Sequence, residues 1–237
     1  MRQLALPFAP HRSLAAADLL RDSSNAAALA WLAAPAGWPL GRLALFGPEG
    51  VGKTHMLHVT AAAQGWMVLS GAELRGLPPQ PSTGLALDDA DMVPDQLAFL
   101  HLVNLCAEAR LPLLMAGRSP PSRWPLTLAD LTSRLRATTA VEISPPSDAL
   151  LQALLQKHFA DRQLRTSPAF VAWLLARLPR EAQAVAEAAA RLDRASLADG
   201  GRITRPLALA CLGPLLAPED DYVTERASAS PATGTLL

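Results

Sequence analysis

The chain has 237 residues, of which 50% are hydrophobic and 18% charged, and its formal net charge at pH 7 is zero. This composition excludes an intrinsically disordered chain. The balanced charge argues against a broad electrostatic grip on nucleic acid, which requires many cations on phosphates. Neither a transmembrane run nor a secretory leader pattern is found. The two cysteines, Cys106 and Cys211, lie far apart and are expected to be buried thiols in a cytoplasmic protein.

The first part of the chain alternates short apolar runs with helical patterns. Residues 1–12 contain two prolines and are expected to be extended, and helices are expected around Leu14–Leu20, at Asn25–Ala33 and at Thr54–Gln64. Each apolar run is bounded by Gly, Pro or acidic residues; the runs are Leu43–Phe46, Met67–Leu69, Leu85–Leu87, Leu113–Met115 and Ala140–Ile143. Such runs, separated by helical segments, predict an α/β fold with a parallel sheet buried on both faces.

Only helical periodicity follows Pro145-Pro146. An apolar stripe begins at Leu150, and Ser167-Pro168 has the pattern of an N-cap followed by proline at the first helical position. Further helices are expected from about residue 180 to 197 and from near 204 to before 218. The predicted domains are therefore an α/β domain at 13–144 and a small helical domain at 145–217. The tail at 218–237, rich in Ser, Ala and Thr with three acids, is expected to be disordered.

A complete phosphate-cradling motif follows the first apolar run; its residues are Gly47, Pro48, Glu49, Gly50, Val51, Gly52, Lys53 and Thr54. Glycines let backbone N–H groups approach phosphate oxygens closely. In such a P-loop the lysine contacts the β- and γ-phosphates and the threonine hydroxyl reaches Mg²⁺. A ligand-free glycine-rich turn is the alternative, but the position between a strand and a helix favours nucleotide binding.

The second motif is acidic: Asp88-Asp89 directly follows the apolar run Leu85–Leu87. Downstream of a P-loop, this pattern indicates a Walker B motif in which Asp88 holds Mg²⁺ and Asp89 polarises the attacking water. A solvated acidic turn that includes Asp91 is the alternative.

Two further patterns stay open on residue type alone. Arginines cluster between positions 118 and 136, and one of them could act as an arginine finger on a neighbour's γ-phosphate, although solvated surface side chains are the simpler interpretation. Near the N-terminus, Gln3, Leu4, Leu6 and Phe8 form either a docking peptide with apolar anchors or a strand packed on its own domain.

With these motifs in order, the chain resembles the AAA+ ATPase family, and within it the DnaA-related branch. The likeness covers roughly residues 3–212 and rests on Gly47–His55, on the Asp88-Asp89 pair and on Ser119-Pro120-Pro121. It rests as well on Leu131–Leu135 and Leu192–Ser196, which resemble the arginine-finger region and the end of the lid. The resemblance implies a P-loop NTPase fold with a five-stranded parallel sheet of order 5-1-4-3-2, a helical lid, and a nucleotide between them.

The hexapeptide Gln3–Phe8 is similar to the motif that binds the DNA polymerase sliding clamp, its β subunit. A short DnaA-like module with this peptide resembles Hda-type proteins, which mediate regulatory inactivation of DnaA. No segment corresponding to the DNA-binding domain of DnaA initiators is expected after the lid. The resemblance therefore implies a negative regulator of replication initiation that meets DnaA on DNA through the clamp and stimulates hydrolysis of DnaA-bound ATP. It implies Arg134 as the finger acting in trans, ADP or ATP with Mg²⁺ as ligands, and no membrane partner; homo-oligomers are also considered.

The chain departs from this family at two positions, called sensors, whose side chains help to recognise or hydrolyse the γ-phosphate in the family. Arg118 occupies the sensor 1 position, which is typically acidic, and the alignment places Gln183 at the sensor 2 arginine. Arg180, one turn earlier, is a candidate substitute, while His55 completes the nucleotide-binding set. These departures imply weak or absent intrinsic ATPase activity with nucleotide binding retained.

Two other functions remain open on the sequence. One is a self-contained AAA+ ATPase that loads or remodels a replication protein; it predicts steady turnover abolished by Asp89→Asn. The other is a non-enzymatic clamp adaptor, which predicts that Lys53→Ala leaves activity intact. A DNA-binding initiator relative is disfavoured by the zero net charge.

Overall fold

A computed structural model describes residues 19–198 and 203–216. Its centre is a five-stranded sheet in which every neighbouring pair is parallel. The strands are β1 (Arg42–Phe46), β2 (Met67–Ser70), β3 (Leu85–Asp88), β4 (Leu113–Gly117) and β5 (Thr139–Glu142). Their order is β2-β3-β4-β1-β5, which is the predicted 5-1-4-3-2 read from the opposite edge. The predicted α/β fold and strand order are therefore confirmed.

Helices cover both faces of the sheet, which explains why its strands are apolar on both sides. Helices α1 (Ala26–Leu32) and α2 (Lys53–Gln64) pack on one face, and α3 (Gln96–Glu108) and α4 (Ala129–Arg136) pack on the other. Within β1, Leu43 and Leu45 are buried on the first face and Ala44 on the second. The α/β layers thus form two cores separated by the sheet.

The second helical unit has a hydrophobic core of its own. It consists of α5 (Asp148–Asp161), α6 (Pro168–Leu175), α7 (Ala182–Ala198) and α8 (Arg205–Leu212). The hydroxyls of Ser147, Ser167 and Thr204 accept hydrogen bonds from the first turns of α5, α6 and α8, so local capping sets where these helices begin. The four helices predicted after Pro145-Pro146 are all present.

The helix predicted around Leu14–Leu20 is wrong in its described part, residues 19 and 20. Leu19 and Leu20 lie outside any helix, and residues 14–18 of the predicted helix are outside the described ranges. The physical reason is a polar turn: the Asn25 side-chain amide donates to the carbonyl of Leu20 at 2.8 Å, and Asp22 accepts from its neighbour Ser24. Such side-chain bonds compete with helical hydrogen bonds.

Two helices, α3 and α4, lie where only unspecified helical segments are expected. Asp95 caps α3 by accepting from the amides of Leu97 and Ala98, at 3.1 and 3.0 Å.

Among the residues whose placement is described, none belongs to a helix long and apolar enough to cross a membrane.

Candidate functional site

The glycine-rich loop connects the carboxyl end of β1 to the start of α2. At Gly47 a side chain cannot fit, because an added Cβ would lie 2.2 Å from the carbonyl oxygen of Ile143, which follows β5. Gly50 has a φ of +80°, in the region that favours glycine. The loop therefore has the backbone of a phosphate cradle, with the positive end of the α2 dipole directed toward it.

Lys53 holds its ammonium group inside this loop. Its Nζ donates to the carbonyl oxygens of Gly47 and Pro48, at 2.8 and 2.6 Å. Burial lowers the pKa of Lys53, while the nearby carboxylates of Asp88 and Asp91 counteract this effect. The lysine and the acidic residues after β3 are therefore within electrostatic reach of one another, as a nucleotide site requires.

The acidic motif continues past the predicted Asp88-Asp89 pair to Asp91. Asp88 ends β3, and its Oδ1 accepts from the amide of Asp89 at 3.1 Å. Partial burial, together with the carboxylates of Asp88 and Asp91, raises the pKa of Asp89. Asp91 Oδ2 accepts from the backbone amide of Arg118 at 2.8 Å, which ties the end of β3 to the end of β4. Asp91, named from the sequence only within the alternative of a solvated acidic turn, thus connects the acidic motif to Arg118.

The oxygen ligands available at this position suit Mg²⁺. Thr54 is half-buried in the first turn of α2, and Asp88 is half-buried at the end of β3. A hydroxyl and a carboxylate are hard donors of the kind that Mg²⁺ takes together with phosphate oxygens and water. His55, the next residue of α2, is also half-buried.

The Arg118 side chain reaches across to the P-loop. Its Nη2 lies 3.6 Å from Oε2 of Glu49, with both side chains largely exposed. An exposed pair of this length contributes little to stability. It does place the guanidinium of Arg118, which the sequence predicts at the sensor 1 position, beside the loop.

The lid contacts the P-loop through Glu181, a residue that was not predicted from the sequence as part of the site. A Cβ placed on Gly50 would lie 2.9 Å from the Glu181 side chain, so this carboxylate packs directly on the loop. Arg180 instead pairs with Asp148 of α5, with Nη2 2.6 Å from Oδ1. Gln183 is exposed in the first turn of α7. A contact between positions so distant in sequence has no local pattern that could reveal it.

The predicted finger, Arg134, lies at the opposite end of the sheet. Its carbonyl accepts from the hydroxyl of Thr138, just before β5, and its charge lowers the pKa of buried Arg42, after the larger effect of burial. Arg42 begins β1, whereas the P-loop follows the end of that strand. At about 3.3 Å per residue, β1 separates these ends by roughly 13 Å. The Arg134 Nε donates to Asp130 at 3.0 Å, and the side chain stays 39% exposed.

The predicted docking residues Gln3, Leu4, Leu6 and Phe8 lie outside the described ranges, as does the predicted tail at 218–237. Two other arginines, Arg123 and Arg136, are exposed.

The lid also matches a known family by sequence. Residues 148–212 match the protein family described as "Hda, lid domain". The match begins with the first residue of α5 and ends with the last residue of α8, so it spans the whole helical unit.

Solved structures of DnaA and RuvB proteins share the fold. Domain III of the Thermotoga maritima replication initiation protein DnaA superposes with a TM-score of 0.72 at 14% identity, covering 88% of this chain and 99% of that one. AMPPCP-bound DnaA from Aquifex aeolicus gives 0.59 at 16% identity, over 77% and 65% of the two chains. The Thermotoga maritima RuvB Holliday junction branch migration motor gives 0.56 at 19% identity, over 79% and 66%.

Proposed function

We propose that this chain, whose residues 148–212 match the Hda lid family and whose fold is shared with domain III of DnaA, is a DnaA-related AAA+ protein that restrains DNA replication initiation by stimulating hydrolysis of DnaA-bound ATP. In this proposal the protein binds a nucleotide at its own P-loop, attaches to the sliding clamp on DNA, and presents Arg134 to the nucleotide of DnaA. The hydrolysis that it promotes then takes place in the partner.

The observation that carries this proposal is the position of Arg134 relative to the chain's own P-loop. The two features lie at opposite ends of β1, because Arg134 neighbours Arg42 while the P-loop follows Phe46. An arginine in this place is too far away to serve its own nucleotide, but it is exposed enough to meet another molecule's phosphate. A guanidinium supplied in trans stabilises the charge that develops during phosphoryl transfer.

The P-loop supports nucleotide binding by the chain itself. Lys53 is already held by the loop carbonyls, and Thr54 and Asp88 offer oxygen ligands for Mg²⁺. The DnaA of Aquifex aeolicus, which shares the fold, is bound to AMPPCP. We propose ADP or ATP as the ligand. Arg118 beside the loop, in place of the acid typical of the resembled branch, supports weak or absent turnover at this site.

Clamp attachment rests on the sequence pattern Gln3–Phe8. A clamp bound on DNA would bring the regulator close to DnaA and raise its effective concentration there. DNA then acts on this protein only through the clamp and DnaA, which agrees with the zero net charge.

The test is a reconstituted reaction that contains ATP-bound DnaA, DNA carrying the sliding clamp, and the full chain. We expect hydrolysis of DnaA-bound ATP to accelerate only when the clamp and this protein are both present. Lys53→Ala, which removes the P-loop cation, is expected to lower both nucleotide binding and stimulation. Full stimulation by Lys53→Ala would support a simple clamp adaptor instead, and steady ATP turnover by the isolated chain would support a self-contained ATPase.

A further inference from the structure

A lid carboxylate lies against the phosphate cradle. Relative to a Cβ built on Gly50, the Cγ, Cδ and Oε2 atoms of Glu181 are all at 2.9 Å. The backbone around Glu181 is fixed, because its amide donates to the carbonyl of Pro179 at 2.7 Å and its carbonyl accepts from Val185 at 3.2 Å. These backbone bonds place Glu181 beside the loop directly before α7, with its side chain exposed.

The charge of Glu181 is not neutralised by the neighbouring lid arginine. Arg180 is paired with Asp148 on α5, at 2.6 Å. Within residues 19–198 and 203–216, no hydrogen bond or ion pair is found for the Glu181 carboxylate. Since the backbone N–H groups of a P-loop receive phosphate oxygens, a carboxylate in contact with Gly50 lies within several ångströms of the place where phosphates bind in such loops.

From this juxtaposition we propose that Glu181 is a specificity-determining residue that makes the site discriminate against nucleotides with more phosphate charge. The inference rests on the proposed nucleotide binding at the P-loop. The Glu181 carboxylate and a nucleotide phosphate several ångströms away repel each other. Water and salt ions screen this repulsion in part but do not remove it. ATP carries one more phosphate than ADP, so Glu181 disfavours ATP more strongly than ADP.

The test measures ADP and ATP dissociation constants of the full chain by calorimetric titration in the presence of Mg²⁺. Glu181→Gln keeps the shape of the side chain and removes its charge. We expect it to shift the ratio of ATP affinity to ADP affinity toward ATP by about 3- to 10-fold, the size expected for one screened charge pair. The shift is expected to shrink as ionic strength rises.

Two matched variants separate this local effect from others. Glu187→Gln makes the same change in net charge within α7, the helix that follows Glu181, at a carboxylate that pairs with Arg191 at 2.8 Å, and should leave the ratio unchanged. Glu181→Asp keeps the charge and should stay close to wild type. Circular dichroism melting checks that each variant is folded.

The inference is overturned if folded Glu181→Gln keeps the wild-type ratio, or if Glu187→Gln changes the ratio equally. If the wild-type chain binds neither nucleotide, both the inference and the nucleotide part of the proposed function are wrong. A clear wild-type affinity with an unchanged ratio in Glu181→Gln contradicts the inference alone.

Discussion

The guanidinium of Arg118 lies 3.6 Å from the carboxylate of Glu49, so the side chain at the end of β4 is paired with the P-loop. The backbone of Arg118 is held as well, because its amide donates to Asp91 at 2.8 Å. The position that is expected to be acidic in the resembled branch thus carries a cation beside the phosphate cradle. From this geometry we expect a small effect of Arg118 on stability and a larger effect on nucleotide binding.

Arg118→Ala is expected to change the free energy of unfolding by no more than about 1 kcal/mol, because the ion pair is exposed. The same variant should weaken nucleotide binding several-fold, since a cation near the phosphates is lost. Calorimetric titration and chemical denaturation measure the two effects. Arg123→Ala, in the turn that follows β4, is the control for loss of an exposed arginine. Equal affinities in wild type and Arg118→Ala would show that Arg118 does not contact the ligand.

The docking peptide yields a prediction that is independent of the P-loop. The double variant Gln3→Ala/Phe8→Ala should lose binding to the sliding clamp, because it removes the polar contact and the aromatic anchor. A pull-down with purified clamp measures this loss, and Arg134→Ala, at the far end of the sheet, should bind the clamp as wild type does. Retained binding by the double variant would place the clamp contact elsewhere.

Asp22 connects the chain before α1 to the start of the lid. Its carboxylate accepts from the hydroxyls of Ser24 and Ser147, at 2.7 and 2.8 Å, and Ser147 also caps α5. These hydrogen bonds, that of Ser24 first, lower the pKa of Asp22 from 3.8 to about 2. Because the pKa is depressed in the folded state, the stabilisation is complete above pH 3.8 and is lost as the pH falls toward 2.

Asp22→Asn is therefore expected to lower the melting temperature at neutral pH, with the difference from wild type shrinking as the pH falls from about 4 to 2. Thermal melts across this range measure the effect. The control is Asp161→Asn, which removes an exposed carboxylate from an ion pair within α5. A difference that persists unchanged at low pH would show that the Asp22 charge is not what stabilises the junction.

The sheet and the P-loop were predictable because local patterns encode them. Runs such as Leu113–Met115 are apolar throughout, since β4 is buried on both faces, and the glycine spacing at 47–52 reflects a backbone that excludes side chains. The cap at Ser167 is equally local. Helix α4 was harder to place, because its eight residues bury only Leu131 and Leu135.

The contacts between distant segments could not be predicted in this way. Glu181 meets Gly50, and Ser147 meets Asp22, only after the lid has docked on the α/β layers. Nothing in the residues near either partner signals such a pairing. For the same reason the sequence indicated Arg180 as a candidate for the nucleotide site, whereas the structure pairs it with Asp148.

The role of Arg134 is tested most directly by hydrolysis of DnaA-bound ATP in the presence of clamp-loaded DNA and Arg134→Ala. Arg136→Ala, two residues further along α4, serves as the control, and both variants should fold and bind the clamp normally. Since an arginine finger typically accelerates phosphoryl transfer by on the order of 10³ or more, we expect Arg134→Ala to abolish stimulation while Arg136→Ala retains it. Stimulation by Arg134→Ala at the wild-type rate would contradict the proposal that this residue acts on the nucleotide of DnaA.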